Sequence, residues 1–163
     1  MTNGAEYVCF ELGGSLFALP RTSLDEIHPL PLLFRPPGSP AALEGVYDVG
    51  GELVSAVRLD RLLGLEECDP GLYSHLIRLN EEHSSIALIV EKVVSVGPAG
   101  PGGVRPLDVD ETFRGCVSGE LDRGDTLVHV LAVDRLINAS EAQRLSAFHD
   151  MEGVRSAIFG DGQ

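Results

Sequence analysis

The chain has 163 residues, a formal net charge of -13 and 44% hydrophobic residues. Nucleic-acid binding depends on Lys and Arg meeting phosphate, and an acidic surface also repels anionic lipid, so the charge argues against both partner classes. Three widely spaced cysteines predict free thiols, and no run approaches the roughly 20 apolar residues that span a bilayer. These features predict a cytoplasmic protein without membrane insertion.

The first predicted elements form a hairpin. Residues 6–12 alternate in polarity, Gly13-Gly14 provides a two-residue turn, and residues 15–19 return as a second strand. Residues 22–27 are predicted as either a short helix or a strand.

A proline-rich connector follows at residues 29–40. Its five prolines predict an extended segment, because proline cannot donate a ladder hydrogen bond. Its apolar residues are interpreted as packing residues: Leu30, Leu32, Leu33 and Phe34. Residues 41–44 are predicted to make a single helical turn.

Residues 45–64 read as strand, tight turn, strand and one-turn helix. Gly50-Gly51 predicts the turn, because hairpin turns that match strand twist need positive φ, which glycine reaches without steric cost. Asp60 is predicted as the helix N-cap and Gly64 as its C-terminal stop.

The same stretch recurs 74 positions later at residues 119–138. The identical positions of the first copy are Gly45, Asp48, Gly50, Leu53, Val54, Asp60, Arg61 and Leu62. Residues 7–27 recur in the same way, as apolar positions offset by 69. A unit present twice predicts an internally duplicated domain rather than a solenoid, with interleaved halves at about residues 6–64 and 75–138. Many short strands with even turn spacing favour small barrels.

Residues 133–148 are predicted to form a C-terminal helix with a shared apolar stripe. The tail after Gly153 is expected to fray, although its apolar residues would allow it to dock on a groove: Val154, Ile158 and Phe159.

Motifs of catalysis are absent from the sequence. Paired carboxylates lie in predicted turns or polar stretches, which is typical of solvated faces, and the five histidines are isolated. No nucleophile elbow, zinc-protease motif or P-loop occurs. We therefore expect no catalytic residue, metal or cofactor.

Several motifs, in this order and spacing, resemble the CheW-like domain family, the scaffold module of bacterial chemosensory arrays. They are Phe10-Glu11-Leu12-Gly13-Gly14, Phe17-Ala18-Leu19-Pro20, Leu24-Asp25-Glu26-Ile27, Pro37-Gly38-Ser39-Pro40, Leu43-Glu44-Gly45-Val46 and Leu59-Asp60. The resemblance implies an all-β fold of two intertwined, five-stranded, SH3-like barrels related by a pseudo-twofold, with a C-terminal helix. It implies a CheW-like domain over residues 5–139, followed by helix and tail at 140–163.

The resemblance also implies a non-catalytic adapter that couples chemoreceptors to a histidine kinase of the CheA type. The receptor's cytoplasmic tip would bind in a groove between the barrels, and the kinase regulatory domain would pair with barrel ends. The implied partner-binding residues are Leu24, Glu26, Ile27, Glu44, Tyr47, Asp48, Val49, Gly50 and Gly51.

One motif departs from the family. The family carries Asn-Leu-Arg-Gly where this chain has Asp48-Val49-Gly50-Gly51, so Gly50 replaces the family arginine and Glu26 is expected to lack a charge partner. One alternative is therefore a divergent adapter of a non-chemotaxis chemosensory pathway with a different partner. Another is a small-molecule-binding β-barrel, marked by a closed pocket with convergent polar groups.

Overall fold

A computed structural model describes residues 6–66, 71, 74–100, 102–106, 115–123 and 126–140. These residues are mostly β, as predicted. The elements are β1 Glu6–Leu12, β2 Ser15–Pro20, β3 Leu24–Pro29, β4 Leu43–Val49, β5 Glu52–Arg58, α1 Leu59–Leu63, β6 His75–Leu79, β7 Ile86–Val90, β8 Lys92–Pro98, β9 Val104–Pro106, β10 Val117–Arg123, β11 Thr126–Leu131 and α2 at 133–140.

The strands form two sheets that exchange strands between the repeated halves. The first sheet has the order β8-β1-β2-β11-β10-β9, and the second has the order β3-β6-β7-β5-β4. The third strand of each half therefore pairs with the first strand of the other half, β3 with β6 and β8 with β1. The two parallel pairs, β2 with β11 and β5 with β7, are also equivalent under the repeat. The first sheet contains six strands rather than the predicted five, because β9 adds to its edge.

The described residues form three hydrophobic clusters. The largest cluster, which we call the shared core, contains apolar residues from both sheets and both helices, including Phe10, Phe17, Ile77, Leu62 and Leu136. Each sheet also has an inner cluster of its own. Several strands bury side chains on both faces as a result, which explains the continuous apolar run of β7.

The repeated glycines at the start of the hairpins allow another segment to cross closely. A Cβ on Gly45 would lie 2.7 Å from Leu33 Cβ, and one on Gly119 would lie 2.9 Å from the carbonyl oxygen of Arg105. Phe34 forms a bridge to Val46 beside the first glycine, as β9 pairs with β10 beside the second. The glycine identity therefore reflects the same close approach in both halves.

The two arginines that are equivalent in the repeat, Arg61 and Arg135, make the same hydrogen bond in both halves. The Arg61 guanidinium donates to the carbonyl of Ala41, and that of Arg135 donates to the carbonyl of Gly115, the equivalent position, at 3.0 Å. Each arginine therefore links the segment that precedes a hairpin to the helix that follows the same hairpin.

Several local predictions are corrected by the structure. Residues 41–44 do not form a helical turn. Residues 41 and 42 lie in a tight turn closed by a hydrogen bond from the Leu43 N–H to the carbonyl of Pro40, and β4 begins at Leu43. Asp60 is not the N-cap of α1, because Arg58 occupies that position and Asp60 lies inside the helix; Gly64 is the predicted left-handed stop. The open choice at residues 22–27 resolves into a 3₁₀ turn followed by β3.

Two residues of the connector are exposed rather than packed. Leu32 is 96% exposed and Phe34 is 65% exposed, whereas Leu30 and Leu33 pack against the inner cluster of the second sheet. The predicted helix is described only to residue 140, and the tail after Gly153 lies outside the described residues.

Candidate functional site

The three predicted site residues of β3 differ in how far they are buried. A register irregularity between Leu24 and Glu26 shifts the strand relative to β6. Leu24 is buried in the shared core, Ile27 packs against that core while staying partly exposed, and Glu26 faces solvent. Leu24 therefore cannot supply contact surface, whereas Glu26 and Ile27 can.

A buried arginine that the sequence did not single out lies beside these residues. Arg78 on β6 pairs in register with Glu26. Its Nε donates to the carbonyl of Ser84 at 2.8 Å, and its terminal nitrogens lie 4.0 Å from Asp25 and 3.8 Å from Glu52. A buried charge is costly unless it is paired and hydrogen-bonded; the Ser84 carbonyl supplies the hydrogen bond to Arg78, and the two carboxylates supply the opposite charge.

His28 and Tyr47 connect the two edge strands of the second sheet. The two rings meet edge to face with centroids 5.7 Å apart, and the Tyr47 hydroxyl lies 3.5 Å from His28 Nε2. The same His28 nitrogen lies 3.7 Å from Glu26 Oε1. Burial raises the pKa of Tyr47, and the positive charge of Arg78 partly opposes that rise.

Glu26 therefore sits among other ionisable groups. His28 lies beside it and Arg78 stands at the facing position of the neighbouring strand. We call the set Asp25, Glu26, His28, Tyr47, Glu52 and Arg78 the polar cluster. Strand alternation could have placed His28 beside Glu26, because residues i and i+2 of a strand share a face. No signal in the sequence placed Arg78 there, because pairing of β3 with β6 joins residues about 50 positions apart.

The hairpin turn next to β4 is built as the sequence predicts. Gly50 and Gly51 have φ values of 58° and 94°, and the Asp48 carboxylate accepts the Gly51 N–H at 2.8 Å. A side chain at position 50 would meet nothing within 4 Å. Space does not exclude an arginine at that position, but the left-handed φ disfavours any side chain.

Two other predicted residues have structural contacts. Val49 packs against the inner cluster of the second sheet. Glu44 lies 3.6 Å from Arg58, whose guanidinium also makes two hydrogen bonds to the buried carboxylate of Asp60. Glu44 therefore belongs to a second ionic group, outside the polar cluster.

An exposed apolar pair on β8 was not among the predicted site residues. Val94 is 43% exposed and Val96 is 51% exposed, on an edge strand of the first sheet. Under the repeat offset of 69, Val96 is the counterpart of Ile27, and this alignment was the signal that could have found it. We use the name edge-strand surface for Glu26 and Ile27 at the edge of the second sheet together with Val94 and Val96 at the edge of the first.

The described residues contain neither a group of metal-ligating side chains nor a membrane-spanning helix. Among them, no three His, Cys, Asp or Glu residues are grouped so that they could hold a metal ion. None of the helices in the described ranges is long and apolar enough to cross a membrane.

Comparisons with known proteins agree with this fold. A sequence model of the CheW-like domain matches residues 6–141. The chemotaxis protein CheW of Treponema pallidum (strain Nichols) is 24% identical over 148 residues, covering 86% of each chain. The crystal structure of the scaffolding protein TtCheW from Thermoanaerobacter tengcongensis superposes with a TM-score of 0.73 at 19% identity, covering 83% of this chain and 89% of that one.

Proposed function

This chain belongs to the CheW-like domain family, and we propose that it is a non-catalytic scaffold that couples a chemoreceptor to a histidine kinase of the CheA type. The observation that carries the proposal is the family match across both repeated halves. A cytoplasmic location goes with this role, as does one functional unit over residues 5–139.

The edge-strand surface is our candidate for the receptor contact. Ile27 and Val93 both pack against the shared core, so β3 and β8 border the same hydrophobic cluster from different sheets. Ile27, Val94 and Val96 supply the partly exposed apolar area that an amphipathic partner helix needs for docking.

The hairpin turn of Asp48 to Gly51 is our candidate for a kinase contact. It projects from the end of the second sheet, and Asp48, Gly50 and Gly51 are exposed. Asp25, Glu26 and Glu52 add exposed carboxylates near Arg78. This acidic character favours a partner with a basic contact face.

Binding of purified wild-type protein and Val96→Glu to a receptor tip tests the receptor contact. The new carboxylate would be desolvated against an apolar helix face, so we expect at least a tenfold loss of affinity by isothermal titration calorimetry. Leu127→Glu is the matched control, because Leu127 is 44% exposed on β11, away from the edge-strand surface. Equal losses in the two variants, or no binding by the wild type, would contradict the assignment.

The divergent adapter is the second candidate, and Gly50 is the observation that favours it. Titration of the kinase regulatory domain against wild type, Gly50→Arg and Gly50→Ala separates the two roles. Gly50→Ala carries the same backbone strain at φ 58° without the charge. Wild-type binding supports the standard adapter, and binding by Gly50→Arg alone supports the divergent one.

A further inference from the structure

A cavity of about 250 Å³ lies between the second sheet and the end of α2. Its walls include Leu43 of β4, Ser55 and Val57 of β5, and Ile86 of β7. Ser140, the last described residue of α2, is at its rim. The named walls are apolar or carry a neutral hydroxyl, so the cavity suits an uncharged, mostly apolar group.

The equivalent place in the other half is filled by the chain itself. In the parallel pair β2–β11, His129 is opposite Phe17, with ring centroids 5.7 Å apart and Phe17 fully buried. In the equivalent pair β5–β7, Ser55 is opposite Ile86. The smaller pair leaves the volume that the two rings occupy in the other half.

The chain continues from the rim of this cavity. Residues 141–163 follow Ser140, and they carry the apolar residues Val154, Ile158 and Phe159. Thirteen residues, 141–153, lie between Ser140 and Val154. With the predicted helix continued to residue 148, the chain rises about 12 Å beyond Ser140, and the six steps from residue 148 to Val154 span up to about 20 Å when extended, so the distance back to the cavity is within reach. A tethered segment also acts at an effective concentration in the millimolar range.

We propose that the tail segment 154–159 docks into this cavity of its own chain, with the Phe159 ring against Ile86 and Val57. In this arrangement the Phe159 ring fills the volume that corresponds to the one filled by the Phe17 ring in the other half. We assign the cavity to the tail rather than to Leu145 or Phe148, because the sequence predicts those two residues on the same helical stripe as Leu136 and Ile137, which pack into the shared core. The inference does not depend on the adapter role.

Methyl-labelled NMR of the full chain tests the proposal. We expect nuclear Overhauser effects between the Phe159 ring and the methyl groups of Ile86 and Val57, at a protein concentration where the chain is monomeric. Phe159→Leu should remove the ring-current shift of these methyl groups while keeping an apolar side chain. Arg155→Ser is the control in the same segment and should leave the shifts unchanged.

A second variant fills the cavity without touching the tail. Ser55→Phe should displace the Phe159 ring and abolish its contacts with Val57, while α1 and the first sheet keep their native shifts. Contacts that appear only between differently labelled chains would assign the cavity to a second copy and overturn the proposal. Absence of Phe159 contacts in the folded wild type, or a co-purified small molecule found by native mass spectrometry, would overturn it as well.

Discussion

The inner clusters of the two sheets occupy equivalent positions but differ in chemistry. Tyr47, Val54 and Ala56 of the second sheet correspond to Leu121, Val128 and Val130 of the first. Arg78, with its carboxylate neighbours, corresponds to Cys9, a small buried thiol that packs among apolar side chains. One half is therefore apolar at positions where the other half carries a guanidinium and a phenol.

The difference shows which features the duplicated backbone requires. Both halves keep the crossing glycine, the helix arginine and the core leucine, because strand crossing and hairpin docking depend on them. The ionic groups Arg78 with its carboxylates and Arg58 with Asp60 lie in the second sheet or at its end. We conclude that the fold constrains the shared positions, whereas it does not require the ionisable groups of the polar cluster, which the first sheet lacks at the equivalent positions.

The largest expected effect comes from the buried ion pair. Asp60→Ala leaves the buried Arg58 without its closest carboxylate, at 2.8 Å, and should lower the free energy of unfolding by about 3–5 kcal/mol. Asp134→Ala is the matched control, because Asp134 is the exposed repeat counterpart and should change stability by less than about 0.5 kcal/mol. Urea unfolding followed by circular dichroism measures both. Similar losses of stability in Asp60→Ala and Asp134→Ala would contradict the expected difference between the two halves.

The crossing glycines should respond equally in both halves. Gly45→Ala and Gly119→Ala each push a Cβ against a carbonyl oxygen, at 3.0 Å and 2.9 Å, and should cost about 1–3 kcal/mol. Gly97→Ala in β8 is the control, because its Cβ would meet nothing within 4 Å. The same unfolding assay applies. A Gly45→Ala variant as stable as Gly97→Ala would refute the close approach of the connector.

The smallest expected effect is a pH dependence of the free energy of unfolding, and it comes from one group of the second sheet, Tyr47. Because burial raises the pKa of Tyr47 above 10.0, the folded chain keeps the phenol proton at pH values where the unfolded chain has lost it. The resulting stability is fully present below about pH 10 and falls as pH rises through the folded pKa. Stability measured from pH 8 to 11 should therefore fall more steeply for wild type than for Tyr47→Phe. Parallel profiles would contradict this assignment.

Local turn chemistry and the repeat made the fold predictable from sequence. A Gly50-Gly51 pair between two predicted strands favours a tight hairpin turn over other local structures. Matched apolar positions in two copies indicated a duplicated domain. Asp60 was misjudged because the helix begins at Leu59, with Arg58 as its N-cap, where the sequence suggested a start after Asp60. Leu32 was misjudged because nothing local distinguishes an exposed leucine in a connector from a packed one.

The candidate site was less predictable than the fold. Glu26 and Ile27 came from a resemblance, whereas the placement of Arg78 needed the observed strand pairing. Val96 could have been found through its alignment with Ile27 in the repeat, but the exposure of Val94 and Val96 needed the structure. A side chain's neighbours across a sheet depend on register between distant segments, which a single sequence does not specify.

Strand exchange between the halves has a consequence for how the protein is made. A nascent chain that has reached residue 64 holds β1 and β3 but not β8 and β6, with which they pair. Both sheets must wait for the second half to leave the ribosome, so the N-terminal half passes through synthesis with unpaired strand edges. Cells that produce this protein in quantity will therefore expose those edges to other nascent copies, and shielding by a chaperone would favour correct assembly.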